Sequence, residues 1–323
     1  MRTRLTHSYE VSQLARTVAN QIGLNCDLVE TIALGHDLGH APFGHAGEEA
    51  LKELLEEFGE YEFKHNLQSI RIVDMLELKY EYDGLNLTFP VREGILKHTS
   101  LPDNIPSYCD DLHTEKGYSV TLEGQLVAII DEIAQVTHDL DDYLRFNIIK
   151  YKEIMEHPIF ISHKEFFYNT YNKSFDEHFK DFKDPRRKKD VTVRCLVDFL
   201  MSELIQQLSK KLRDCKEKAY HLDGIVIKYE DTFQEMLEDF DRYLKNILLS
   251  DYKVIEMDRR GKEIIKTLFR CYLCDQELLP EDTREKYENA KADDKYLVLA
   301  DFISGMTDRF AIEQYDKIIS ARE

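Results

Sequence analysis

Val11, Leu14, Ala15, Val18 and Ile22 fall on one helical stripe between Thr6 and Gly23, and this regularity commits the start of the chain to an amphipathic helix. Carried back one turn from Val11, the stripe reaches His7. Gly23 is a natural stop. Asn25 is placed to cap a second helix, with Asp27 and Glu30 near its positive end. There Val29, Ile32, Ala33 and His36 keep the i, i+3, i+4, i+7 pattern, and Asp37 lies four positions after Ala33. If these two helices pack together, His7, His36 and Asp37 turn toward one interior. The following run, HAPFGHAG, is interrupted by Pro42, Gly44 and Gly47, so an ordered loop is expected to rim that interior.

Helical patterns continue through the rest of the chain. They cover about Glu48 to Phe58, the stretch from His65 through NLQSIRIVDMLELKY, Leu87 to Thr99 and Thr121 to Leu144. Further segments fall at about 191–218, 229–249, 252–274 and 282–315. Residues 99–118 read as a long exposed loop that could serve as a lid. The basic run KDPRRKK (183–189) reads as a solvated loop between helices. Only 7 prolines and 13 glycines break 323 residues, 33% of which are charged, a balance that favours a helix-rich protein over a sandwich or barrel. The 43% hydrophobic content is enough for one large domain or two intimate ones.

A formal charge of −19 repels polyanions over most of the surface, so a nucleotide ligand needs a metal or a local basic patch. No apolar run approaches the roughly 20 residues that cross a bilayer. The opening MRTRLTHSYE carries no hydrophobic signal segment, so a cytoplasmic protein with reduced cysteines at 26, 109, 195, 215, 271 and 274 is expected. Cys271 and Cys274 share a helix face with no second pair nearby and read as two half-buried thiols.

The helix over Gln125–Leu144 sets Asp131, Gln135, His138 and Asp139 along one side of an otherwise apolar segment, as a lined cavity requires. Two imidazoles and two carboxylates, His7, His36, Asp37 and Asp131, suit a divalent metal such as Mn²⁺, Mg²⁺, Fe²⁺, Co²⁺ or Zn²⁺. Such an ion lowers the pKa of a bound water and neutralises phosphate oxygens, which matches hydrolysis of a phosphate ester or anhydride. His40, His45 and His65 could hydrogen-bond phosphate oxygens or act as general acid. Arg4, one turn before His7, could offer a bidentate phosphate contact.

The set His7…His36-Asp37…Asp131 resembles the HD superfamily of metal-dependent phosphohydrolases. The blocks RTRLTHSYEVSQLART, ALGHDLGHAPFGHAGE, FKHNLQSIRIVDMLE, VREGILKH, DEIAQVTHDLDD and ADFISGMTDRFA are similar to its deoxyguanosinetriphosphate triphosphohydrolase-like (dNTPase) branch. The resemblance implies an all-α fold with an HD-domain helical core over 1–150. Additional C-terminal helices over 151–323 would complete the site and make oligomer contacts. It implies one-step hydrolysis of a deoxynucleoside triphosphate, dGTP or several dNTPs, to deoxynucleoside and inorganic triphosphate by attack at the α-phosphorus.

By motif position His7, His36, Asp37 and Asp131 would be metal ligands, and His65 the catalytic histidine near the leaving 5′-oxygen. His40 and His45 would bracket the α-phosphate, and Arg4 would hold phosphate oxygens. Asp139 would lie near the sugar 3′-hydroxyl and Gln135 by the sugar or base. Asp301 and Arg309 would organise the site. The branch implies a homo-oligomer, and some members bind single-stranded DNA or an activating nucleotide, roles the basic run could serve. Relatives usually carry a basic stretch ahead of the RTRLTHS block, where this sequence has Met1 directly before Arg2. The competing expectations are another HD-type nucleotide phosphohydrolase and a weakly active nucleotide- or DNA-binding regulator.

Overall fold

A computed structural model describes residues 4–59, 62–180, 182, 184–214, 224–292 and 294–320. Arg2, Lys183 and Cys215 lie outside the described residues. The helices are α1 (Arg4–Ile22), α2 (Cys26–Gly35), α3 (His45–Phe58), α4 (His65–Arg71), α5 (Phe89–Leu96), α6 (Leu122–Arg145), α7 (Tyr151–Ile154), α8 (Pro158–Tyr171), α9 (Phe175–Phe179), α10 (Pro185–Asp214), α11 (Asp231–Ser250), α12 (Tyr252–Cys274), α13 (Glu281–Asn289), α14 (Lys295–Ser304) and α15 (Asp308–Ser320). No strand occurs among the described residues, and the fold is all-α. Among them, no helix is long and apolar enough to cross a membrane.

The chain forms two compact units, each from two separate stretches: residues 1–34 with 118–252, and residues 35–117 with 253–323. These units follow a different line from the expected division at residue 150.

In the first unit α1, α6 and α10 pack against one another. The stripe read from the sequence is the reason for α1: Val11, Ala15, Val18 and Ala19 are fully buried. On α10, Leu196, Leu200, Leu204 and Leu208 repeat every fourth residue and are also fully buried. Thr121 caps α6 by accepting from the Gly124 N–H at 3.1 Å. The Gln125 amide, buried on α6, donates to the Ser119 carbonyl and accepts from Val226 and Ile227, which fixes the segment entering α11. Asn25 caps α2 as expected, its side-chain oxygen accepting from Asp27 and Leu28 at 3.1 Å.

Residues 185–189 of the basic run are helical rather than a loop between helices. Asp184 accepts from the Arg186 N–H at 2.9 Å and Pro185 occupies the first turn, so α10 starts there rather than at 191. Lys189 is committed to the fold, donating to the Leu144 carbonyl and to Asn147. Lys188 lies over the Tyr151 ring at 4.8 Å.

The core of the second unit joins Leu51, Leu54 and Leu55 of α3 to Ile264, Ile265, Leu268 and Phe269 of α12, with Leu299, Ala300 and Ile303 of α14. On the exposed edge Glu49, Glu53 and Glu57 pair in turn with Lys262, Lys266 and Arg270. Both series rise every four residues, so α3 and α12 run parallel in one register. Each surface pair adds little alone, and the ladder sets alignment. On α12 Cys271 is buried and Cys274 exposed, both free thiols.

Two expectations need correction in this unit. The helix that opens at His65 ends early: a π-helical turn over Ile72–Leu76 closes it, and the chain folds back so that the Leu85 N–H donates to the Val73 carbonyl at 2.7 Å. Residues 99–118 are not simply an exposed loop. Ser107–Leu112 form a short 3₁₀ turn with Cys109 and Leu112 fully buried, and Lys97, paired with Glu93, donates to the His113 carbonyl at 2.7 Å.

Candidate active site

In the second unit the chemistry gathers where α2 ends. His36 is fully buried, and its Nε2 lies 3.3 Å from Asp37 Oδ1. The chain then turns tightly through Leu38 and Gly39. The Gly39 N–H donates to Ser69 Oγ at 2.9 Å, and that hydroxyl donates to the His36 carbonyl at 2.8 Å. A Cβ at position 39 would sit 2.1 Å from the His65 carbonyl oxygen. Glycine is therefore what lets the His-Asp turn lie directly on the backbone of α4.

That approach assembles a set of imidazoles. His40 stacks on His65 with centroids 3.9 Å apart and planes 9° from parallel, and its Nε2 lies 3.1 Å from Asp37 Oδ1. Ligand atoms of Asp37, His40 and His65 all lie within 4.8 Å of one another. His45 is not in the loop. It is the first residue of α3, exposed, with its ring 6.3 Å from that of His40.

Glu48, also in the first turn of α3, reaches His65 twice. Its carboxylate accepts from the His65 backbone N–H at 3.1 Å and lies 3.1 Å from the ring Nδ1. Burial alone would raise the Glu48 pKa, but the hydrogen bonds and charge of His65, helped by His40, outweigh it and bring it down to about 2. On the far side of the ring, His65 Nε2 lies 3.1 Å from His98 Nε2, and His98 Nδ1 donates to the Ile95 carbonyl at 2.7 Å.

Asp301 supports this cluster from α14. It accepts from Gln68 and, in a fork, from Arg71 at 2.7–3.0 Å, so it holds the helix that begins at His65. Arg309 is exposed and pairs with Glu313 one turn along α15.

In the first unit, α1 and α6 bring His7 and Asp131 together, Nε2 to Oδ1 at 2.9 Å. His7 Nδ1 lies 3.3 Å from His138 Nδ1, and His138 Nε2 is 2.8 Å from Glu10. Arg4 opens α1 and is exposed. Gln135 is half-buried one turn beyond Asp131. Asp139 is half-buried too, and burial, reinforced by the charge of Asp241, pushes its pKa up to about 6.

Glu48, His98, Ser69 and Glu10 were not picked out from the sequence as site residues. Glu48 left one trace: it stands three positions after His45, in the same first helical turn. His98 closes the block VREGILKH but has no local pattern that distinguishes it from a surface histidine.

A His-Asp turn beside a carboxylate-oriented histidine supplies groups of the kind a hydrolase uses. Comparison with known proteins agrees. The HD domain profile matches residues 4–136, and that of the phosphohydrolase-associated domain matches residues 227–317. A deoxyguanosinetriphosphate triphosphohydrolase-like protein of Nitrosomonas europaea is 37% identical over 328 residues, covering 100% of this chain and 83% of the relative. Proteins of the same description from Azoarcus sp. and Rickettsia prowazekii are 36% and 35% identical, covering 100% and 99% of this chain and 82% and 83% of their own lengths. The chain belongs to the deoxyguanosinetriphosphate triphosphohydrolase-like family of HD-domain phosphohydrolases.

Proposed function

We propose that this protein hydrolyses deoxynucleoside triphosphates, dGTP or several dNTPs, to the deoxynucleoside and inorganic triphosphate. Family membership supports the phosphohydrolase class. The observation that carries the finer reading is the His65 ring fixed by Glu48 beside His40 and Asp37. Release of a 5′-oxygen as a deoxynucleoside needs a proton at that oxygen, and a histidine oriented by a carboxylate is the usual source.

His7, His36, Asp37 and Asp131 would hold the divalent metal. The donor chemistry fits: imidazole nitrogens within 2.9 Å and 3.3 Å of carboxylate oxygens suit Mn²⁺, Mg²⁺, Fe²⁺, Co²⁺ or Zn²⁺. When bound, such an ion activates water and neutralises phosphate charge. The chain's own residues do the rest. Arg4 would hold phosphate oxygens, and His40 and His45 would flank the α-phosphate. His65, with Nδ1 engaged by Glu48, would deliver its proton from Nε2 to the 5′-oxygen as the P–O bond breaks. Asp139 and Gln135 would line the sugar and base.

A homo-oligomer, an activating nucleotide and single-stranded DNA belong to the same proposal and rest on the resemblance alone. A cytoplasmic location belongs to the same proposal.

The test is incubation of the purified protein with Mn²⁺ and each of the four dNTPs, with products resolved by chromatography. Deoxynucleoside and intact triphosphate are expected. Orthophosphate or pyrophosphate release would point to another HD-type phosphohydrolase, and tight binding without turnover to a regulator.

A further inference from the structure

We propose that His98 is a positioning residue that fixes His65 at its reactive nitrogen and sets the spacing between His65 and His36. The proposal rests on the reading of His65 as the group that protonates the leaving oxygen.

His98 follows α5 and is almost completely buried, at 6% exposure. Its orienting contacts run to two histidines and a backbone carbonyl, so the role assigned to it is exerted through those neighbours. Both histidines are given chemical roles above. Its ring meets the His36 ring edge-on with centroids 5.0 Å apart, and its Nε2 lies 3.1 Å from His65 Nε2. Its own orientation is set from behind, because Nδ1 donates to the Ile95 carbonyl, an acceptor only. The other nitrogen of neutral His98 is then an acceptor, directed at His65 Nε2.

His65 is thereby held on three sides. Glu48 engages Nδ1, His40 covers one face and His98 engages Nε2. Glu48 alone leaves the ring able to swing about the Nδ1 contact. His98 removes that freedom, so the Nε2 corner already has a fixed direction when a leaving oxygen arrives to share or take over the contact. Pre-set geometry of this kind lowers the barrier without improving ground-state binding, so its loss falls on kcat rather than KM. Ring contact with His36 ties that direction to the end of α2, where the His-Asp pair sits. The Ile95 hydrogen bond satisfies the buried Nδ1 and also selects one ring orientation.

The experiment compares His98→Leu, which keeps volume and removes the nitrogens, with His98→Gln, which keeps a polar group at the end of the side chain. Each is measured for kcat, KM, thermal stability and the His65 ring-nitrogen resonances of isotope-labelled protein in Mg²⁺ buffer. For a folded His98→Leu, kcat is expected to fall roughly 10- to 100-fold with KM within about twofold, because misplacing a catalytic group affects the transition state alone. His98→Gln should recover part of kcat, and the His65 Nε2 resonance should move in the Leu variant. If His98→Leu does not fold, His98→Met puts the same question with an unbranched side chain. A folded apolar variant with wild-type kcat, or with unchanged His65 resonances, would overturn the proposal. The resonances report on the His98–His65 contact even if the wild-type protein releases no triphosphate, so failure of the positioning role and failure of the dNTPase reading give different results.

Discussion

The Glu48 carboxylate binds both the backbone and the ring of His65, each at 3.1 Å, and so ties the first turn of α3 to the first turn of α4. Glu48→Gln keeps the shape and removes the charge. It should lower kcat about 10- to 100-fold while the protein stays folded, a part of the roughly 100- to 10,000-fold that a positioned acid contributes. Steady-state kinetics beside circular dichroism would check this.

The same contact predicts an acid response. The Glu48 carboxyl is depressed from 4.5 to about 2 in the folded protein, so its contribution to stability is fully present above about pH 4.5. It is lost as pH falls toward 2. Unfolding followed between pH 5 and pH 2 should be less steep in pH for Glu48→Gln than for wild type; equal slopes would contradict the assignment.

Asp37 and His65 should separate by phenotype. Asp37→Ala is expected to lose both bound metal and turnover, whereas His65→Ala should retain metal and lose rate. Metal content by mass spectrometry together with product assay distinguishes them. Full occupancy and activity in Asp37→Ala would remove Asp37 from the ligand set.

Asp139 carries a raised pKa of about 6, caused by burial and then by Asp241, so its ionised form costs stability. The sign is opposite to that of Glu48: the penalty is absent below about pH 4, grows as pH rises through 6 and is complete above it. Asp139→Asn should therefore stabilise the substrate-free protein on the order of 2 kcal/mol at pH 7.5, and far less at pH 4. Thermal melts at the two values test this. Loss of dNTP affinity in the same variant would support its place beside the sugar.

Gly39→Ala should damage both stability and rate. The added Cβ would meet backbone of α4, at 2.1 Å from the His65 oxygen and 2.3 Å from the Ser69 nitrogen, and neither can yield as a flexible side chain would. A loss of at least about 2 kcal/mol is expected from overpacking of this kind. Chemical denaturation measures it, and a variant as stable as wild type would mean that α4 can shift without cost.

Periodicity in the sequence was enough to read many of the helices, because burial of an apolar stripe needs only the 3.6-residue repeat; α7, α8 and α9 were not read, and the segment expected over 282–315 is divided among α13, α14 and α15. It placed Val11, Ala15 and Val18 in the core, drew the cap at Asn25, and set α12 within its true bounds. The His-Asp pair and the family blocks were likewise legible, since membership of a family leaves its mark in residue type and order. Contacts between distant stretches were not. Nothing local says that Glu48 must face His65, that His98 stands behind it, or that Gly39 is small to admit the backbone of α4. Those relations depend on how helices separated by tens of residues pack, and that packing also turned Cys109 and Leu112 inward. Local order carries the helix repeat and the residue blocks of the family; distances and orientations belong to the tertiary structure, because they are set by surfaces the chain brings together only after folding.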